Sequence, residues 1–175
     1  MTVHRFTILP TAPNRGRLIV PSDVAAITNR LLQECRGPDG PHEGLVYWAG
    51  RRCGEDTIVL AAVAPESDHG PQHVFVDAGE VGRMARRTRS VGLVITAQVH
   101  SHPGGDTRHS DGDDKLILMP SEGMFSLVIA HYGFGSIQPS EGAGLHQYQD
   151  GRWVQVQAGS TEVLIIVPPL LGAKS

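Results

Sequence analysis

Leu93-Val94-Ile95-Thr96-Ala97-Gln98-Val99-His100-Ser101-His102-Pro103 is the stretch that decides how this chain folds and where its chemistry lies. The run from Leu93 to Val99 is largely apolar and too short for a helix between its flanks, so it reads as a buried central strand ending at His100. Residues i and i+2 of an extended chain point to the same face, so His100 and His102 can offer two imidazoles to one cation. Pro103 stops the strand, and Gly104 and Gly105 allow a sharp turn. Ser110 can then begin a short helix that brings Asp113 back toward the imidazoles. Two histidines and a carboxylate with one open position make a common catalytic zinc shell.

Upstream of this stretch, Asp77 opens a helical segment with Glu80 three residues on, a capping-box pattern, and Val76 and Val81 occupy the hydrophobic-staple positions. Val81, Met84 or Ala85, and Thr88 would face the core, leaving Arg83, Arg86, Arg87 and Arg89 on a solvated face. Val74 to Val76 is expected to be a short strand and residues 65–70 a polar loop. Earlier still, two apolar runs at residues 44–49 and 57–64, separated by a polar turn over 50–56, predict a hairpin. Ser22 is the expected cap of a first helix over 22–35, with Val24, Ile27 and Leu31 as its buried stripe.

Downstream, residues 126–130, 145–148 and 153–157 read as strands, the last two joined at Asp150-Gly151, a two-residue hairpin signal, and residues 161–167 as one more. Strands and helices alternate without a regular βαβ repeat. That points to an α+β domain on one mixed or mostly antiparallel central sheet flanked by helices.

The pattern His100-x-His102-Pro103, then seven residues to Ser110, then Ser110-x-x-Asp113, resembles the signature of the JAMM/MPN metallopeptidases, also called JAB domains. The resemblance spans the order of elements from about residue 17 to 158. It implies a cytidine-deaminase-like domain with one zinc held by His100, His102 and Asp113. It further implies that Ser110 holds the attacking water or the oxyanion and that an upstream glutamate acts as base. That glutamate should stand at the start of the strand opening the first hairpin, which selects Glu43 over Glu34 and Glu55. Ser110-x-x-Asp113 has an ordinary reading too, because Ser-x-x-acid is itself a helix-start pattern. Asp106, Asp111, Asp114 and His109 lie in the same loop and read as solvated.

By the same resemblance the chain is expected to be a small prokaryotic-type hydrolase of peptide or isopeptide bonds, deubiquitinase-like. It would act after the C-terminal glycine of a ubiquitin-like protein or its conjugates, in company with activating and conjugating enzymes. Two alternatives remain at this level: a RadC-like relative with another substrate, since His102-Pro103-Gly104-Gly105-Asp106 is similar to that loop, and a non-enzymatic scaffold binding through residues 163–171.

The bulk composition agrees. With 175 residues, 40% of them hydrophobic and 19% charged, the chain is expected to form one domain over 1–175, its core at about 17–158 and a C-terminal strand and tail at 159–175. A formal net charge of -3 offers no long-range attraction for nucleic acid or anionic lipid. Cys35 and Cys53 form no CxxC pair and read as reduced packing residues, and no apolar run approaches a membrane span, so a cytoplasmic location is expected.

Overall fold

The computed structural model describes residues 8–110, 112–113, 120–157 and 162–169. Its strands are β1 (Thr11–Ala12), β2 (Leu18–Pro21), β3 (Arg36–Gly37), β4 (Gly40–Pro41), β5 (Leu45–Cys53), β6 (Asp56–Val63), β7 (Asp68–Gly70), β8 (His73–Phe75), β9 (Val94–Ser101), β10 (Phe125–Ile129), β11 (Gly144–Gln149), β12 (Arg152–Val156) and β13 (Leu164–Val167). Among the described residues these strands are accompanied by the helices α1 (Ser22–Gln33) and α2 (Ala78–Ser90).

Nine strands form one mixed sheet in the order β1-β12-β11-β10-β9-β5-β6-β2-β13, while β3-β4 and β7-β8 are separate two-stranded ribbons. The run around His100 is thus the central strand, antiparallel to β5 on one side and parallel to β10 on the other. A mixed α+β sheet is what the segment order implied. Among the described residues no helix is long and apolar enough to cross a membrane.

The helices cover opposite faces. Adjacent residues of a strand point opposite ways, and β5 divides accordingly. Val46 and Trp48 join α1 residues Val24, Ala25 and Leu32 in the main core, together with Val99, Phe125, Leu127 and Ile129. Leu45 and Tyr47 pack instead with Val74, Val76 and Met84, beneath α2.

Several local expectations are corrected. Helix α1 starts at Ser22 but Ser22 does not cap it: Pro21 occupies the N-cap position with no side-chain bond, because β2 runs up to Pro21 in its pairing with β13. The buried stripe is Val24, Ala25, Thr28 and Leu32, and Ile27 is exposed. Thr28 takes the inward place because its hydroxyl donates to the Val24 carbonyl at 2.8 Å and accepts from Trp48 Nε1 at 2.7 Å.

The hairpin strands extend past the expected turn, leaving only Gly54-Glu55 between them, with Gly54 at φ 62. Gly50 sits at a register shift where a Cβ would lie 2.0 Å from the Ile58 carbonyl oxygen, so only glycine fits. Residues 68–70, expected as loop, pair with β8. Cys53, near the hairpin tip, is exposed rather than packed; Cys35 is partly buried, and both are free thiols.

Other expectations hold with small shifts. The Asp77 carboxylate caps α2 by accepting from Gly79 and Glu80 backbone N–H groups, Val76 and Val81 share one cluster, and the four arginines face outward. Glu80 does not close the capping box; it is buried, accepts from the Glu66 N–H at 3.0 Å and pairs with Arg83. Asp150 (φ 52) and Gly151 (φ 78) form the tight turn between β11 and β12. The last strand begins at Leu164; Thr161 lies outside the described residues, as do Asp111, Asp114 and Leu171.

Candidate metal centre

His100 lies within β9, one residue further inside the strand than expected, and His102 follows just past its end. Their rings are 5.1 Å apart. Asp113 comes back to meet them: its Oδ1 is 3.3 Å from His100 Nε2 and its Oδ2 is 3.3 Å from His102 Nε2. One donor atom from each of the three residues lies within 4.8 Å of the others, and all three are buried.

A local turn builds this triad. The Ser110 N–H donates to Asp113 Oδ2 at 2.6 Å and the Asp113 N–H donates to Ser110 Oγ at 3.2 Å, a reciprocal cap that aims the carboxylate. The helix-start reading of Ser110 and its place beside the triad are therefore compatible. Since Ser110 Oγ accepts in that pair, its hydroxyl hydrogen can point toward the centre. The His102 Nδ1–H donates to the Asp106 carbonyl at 2.8 Å, which leaves the Nε2 lone pair facing Asp113. Asp106 itself forms an ion pair with Arg108 at 2.5 Å, so its role here is played by its backbone.

Electrostatics favour a cation among these groups. Burial raises the Asp113 pKa, but His100 and His102 outweigh it and hold the carboxyl well below its ordinary range. Burial lowers His100, whereas for His102 the same penalty is overcome by Asp113 and its pKa rises. Both ring nitrogens of His100 are buried without a hydrogen-bond partner among the described residues, although Nε2 lies 3.3 Å from Asp113 Oδ1. A buried imidazole with an unsatisfied Nε2 aimed at a carboxylate and a second imidazole is the donor set a divalent transition metal takes.

Glu43 stands across the sheet from His102. Leu45 pairs with His100, and the next step is closed by the Ser101 N–H donating to the Gly44 carbonyl at 3.0 Å and the Gly44 N–H donating to Ser101 Oγ at 3.0 Å. Glu43 is the following residue. Burial pushes its carboxyl up to about 7, with His102 lowering it and Asp113 raising it further, so all three share one electrostatic site. Glu34, 3.8 Å from Arg30 at the end of α1, and Glu55, exposed at the hairpin turn, are outside the site.

The reading of His109 as solvated is overturned. It is fully buried, with Nε2 2.9 Å from Ser126 Oγ and its ring 4.0 Å from that of His146, which is itself buried. Gln98 completes the group, donating from Nε2 to Ser126 Oγ at 3.3 Å. Gln98, Ser126 and His146 lie in one cross-strand row on the His100 face. Gln98 could have been found by its i,i+2 relation to His100; nothing in the sequence marks His146.

Three comparisons bear on this arrangement. The family model described as prokaryotic homologs of the JAB domain matches residues 26–141. A Sinorhizobium fredii protein (strain NBRC 101917 / NGR234) named probable metalloprotease y4jG is 32% identical over 95 residues, covering 52% of this chain and 58% of that protein. The chain therefore aligns with little more than half of that curated relative. The solution structure of DSY2949 from Desulfitobacterium hafniense superposes with a TM-score of 0.63 at 19% identity, covering 87% of this chain and 94% of that one, a likeness of fold.

Proposed function

The chain belongs to the prokaryotic homologs of the JAB domain, and on that premise we propose that it is a zinc-dependent hydrolase. It would cut the peptide or isopeptide bond after the C-terminal glycine of a ubiquitin-like protein. The observation that carries this reading is the buried His100–His102–Asp113 triad with Glu43 across the strand pair from His102. The name of the 32%-identical relative, a probable metalloprotease, supports the hydrolytic half of the proposal.

In this reading His100, His102 and Asp113 hold one zinc ion, which when bound supplies Lewis acidity and lowers the pKa of water to about 7. Glu43 takes a proton from the attacking water as the new C–O bond forms. It returns that proton to the leaving amine as the C–N bond breaks. Burial, which raises this carboxyl to about 7 in the absence of the ion, favours its holding the proton between the two steps. Ser110 donates its hydroxyl hydrogen to the developing oxyanion, where charge stabilisation has the greatest effect on rate. Activating and conjugating enzymes of the same conjugation system are the partners such an activity needs.

The test is direct. Zinc-loaded protein should bind one ion per chain and release a Gly-ended ubiquitin-like protein from its conjugates, and Glu43→Ala should lower the rate by about 10²- to 10⁴-fold without loss of zinc. Equal rates for wild type and Glu43→Ala would refute the assignment.

A further inference from the structure

The turn that follows β10 is bent in an unusual way. His131 and Tyr132 both have φ 55 and Gly133 has φ 88, three consecutive left-handed residues of which two carry a Cβ. Such a conformation persists only when its surroundings over-determine it. They do so here: a Cβ at Gly133 would lie 2.6 Å from Leu32 Cβ, and Gln33 Nε2 donates to the Gly133 carbonyl at 2.9 Å, so α1 presses the turn into shape.

What the turn presents is a set of bonds to both halves of the metal centre. The His102 N–H donates to the Ile129 carbonyl at 2.9 Å, the His131 N–H to the Gly104 carbonyl at 3.1 Å, and the Tyr132 N–H to the His102 carbonyl at 2.8 Å. From the same residue, the Tyr132 hydroxyl donates to the Pro71 carbonyl at 3.1 Å. The neighbouring Gly70 carbonyl accepts the Glu43 N–H at 2.9 Å. Tyr132 thus links the backbone of His102 to the segment on which Glu43 hangs.

This link matters because the strand ladder does not reach Glu43. The β5–β9 pairing runs to Leu45 and His100, with one further step at Gly44 and Ser101. Beyond it the Glu43 N–H turns away from β9 toward Gly70. The spacing between Glu43 and His102 is then held on one side by the Gly44–Ser101 step and on the other by the route through Tyr132, Pro71 and Gly70.

We propose that Tyr132 is a positioning residue, held left-handed so that its backbone N–H and phenol together fix Glu43 relative to His102. This rests on the role given to Glu43 above. Displacing a general base by a fraction of an ångström slows the chemical step while leaving ground-state binding nearly intact.

The experiment uses full-length Tyr132→Phe and Tyr132→Gly, with zinc affinity, steady-state cleavage of a Gly-ended ubiquitin-like conjugate, and hydrogen exchange at the Glu43 amide. Tyr132→Phe removes only the phenol bond; Tyr132→Gly removes it and also relieves the left-handed backbone. Both should lower kcat about tenfold or more, with KM and zinc affinity within about twofold. Both should also speed Glu43 amide exchange about tenfold while Leu127 in β10 is unchanged. A Tyr132→Phe with unaltered Glu43 exchange, unaltered kcat, or a parallel loss of zinc affinity overturns the proposal. If wild type cleaves nothing, the functional reading fails and the exchange measurement alone decides the role of Tyr132.

Discussion

Strands β9 and β10 present two chemically different faces. Toward α1, Ala97, Val99, Phe125, Leu127 and Ile129 are all fully buried and apolar. Toward the metal centre, Gln98, His100, Ser126 and, on the neighbouring strand, His146 are just as buried and polar. Burial on the first face lowers free energy by roughly 25 cal/mol per Å² of apolar surface, while burial on the second carries a desolvation penalty that hydrogen bonds only partly offset. A single alternation of side chains therefore separates what holds the fold together from what the fold holds in place.

The largest expected effect on stability comes from cutting into the apolar face. Leu127→Ala should cost about 2–5 kcal/mol, because a fully buried leucine in the middle of a sheet leaves a cavity its neighbours cannot close. Chemical denaturation gives that number, and the metal stoichiometry of the folded variant should equal that of wild type. A variant that loses zinc while still folded would break the separation of the two faces.

That separation was only half legible beforehand. Periodicity located β9, α2, the Asp77 cap, the Asp150-Gly151 turn and the spacing of His100, His102, Ser110 and Asp113, since each is a local pattern with a local physical cause. The burial of His109 and His146 was not legible, because it depends on which strands become neighbours, and the parallel pairing of β9 with β10 has no local signature. The left-handed His131 and Tyr132 were invisible for a related reason: residues other than glycine take that conformation only rarely, and α1 imposes it from outside the segment. Ile27 was misplaced because a hydrogen bond from Trp48 gave Thr28 the inward position.

The polar face should also titrate where the apolar face cannot, and its two signs differ. Burial raises Glu43 to about 7, so the folded state binds that proton more tightly than the unfolded chain does. Its contribution to stability is present below the ordinary carboxyl value and is lost as pH rises through about 7. Burial lowers His146 well below 6.5, so its contribution is present above 6.5 and is lost as pH falls. Chelator-treated protein should therefore lose stability from about pH 5.5 to about pH 8.5 through Glu43, by no more than about 3 kcal/mol and less after solvent screening of a partly accessible group. Because His146 acts in the opposite direction, the check is a difference in denaturation midpoints: between the two pH values wild type should lose stability relative to Glu43→Gln, and an identical pH dependence in both would remove Glu43 as a source.

The smallest effect is the sharpest probe of what the polar face is for. Gln98 makes one long hydrogen bond of 3.3 Å to Ser126, and its Oε1 has no partner among the described residues. Methionine has nearly the same length and shape, and Ser126 Oγ would keep its 2.9 Å contact with His109. Replacing an incompletely satisfied buried amide by an apolar isostere removes a desolvation penalty along with a weak bond, so Gln98→Met should change stability by about 1 kcal/mol or less, toward the stable side. If the polar row exists only to be tolerated, metal affinity will be unchanged as well. A Gln98→Met protein that is at least as stable as wild type yet binds zinc about tenfold more weakly would show that Gln98 orients His100, two residues along the same face, in the way outer-shell partners orient metal ligands.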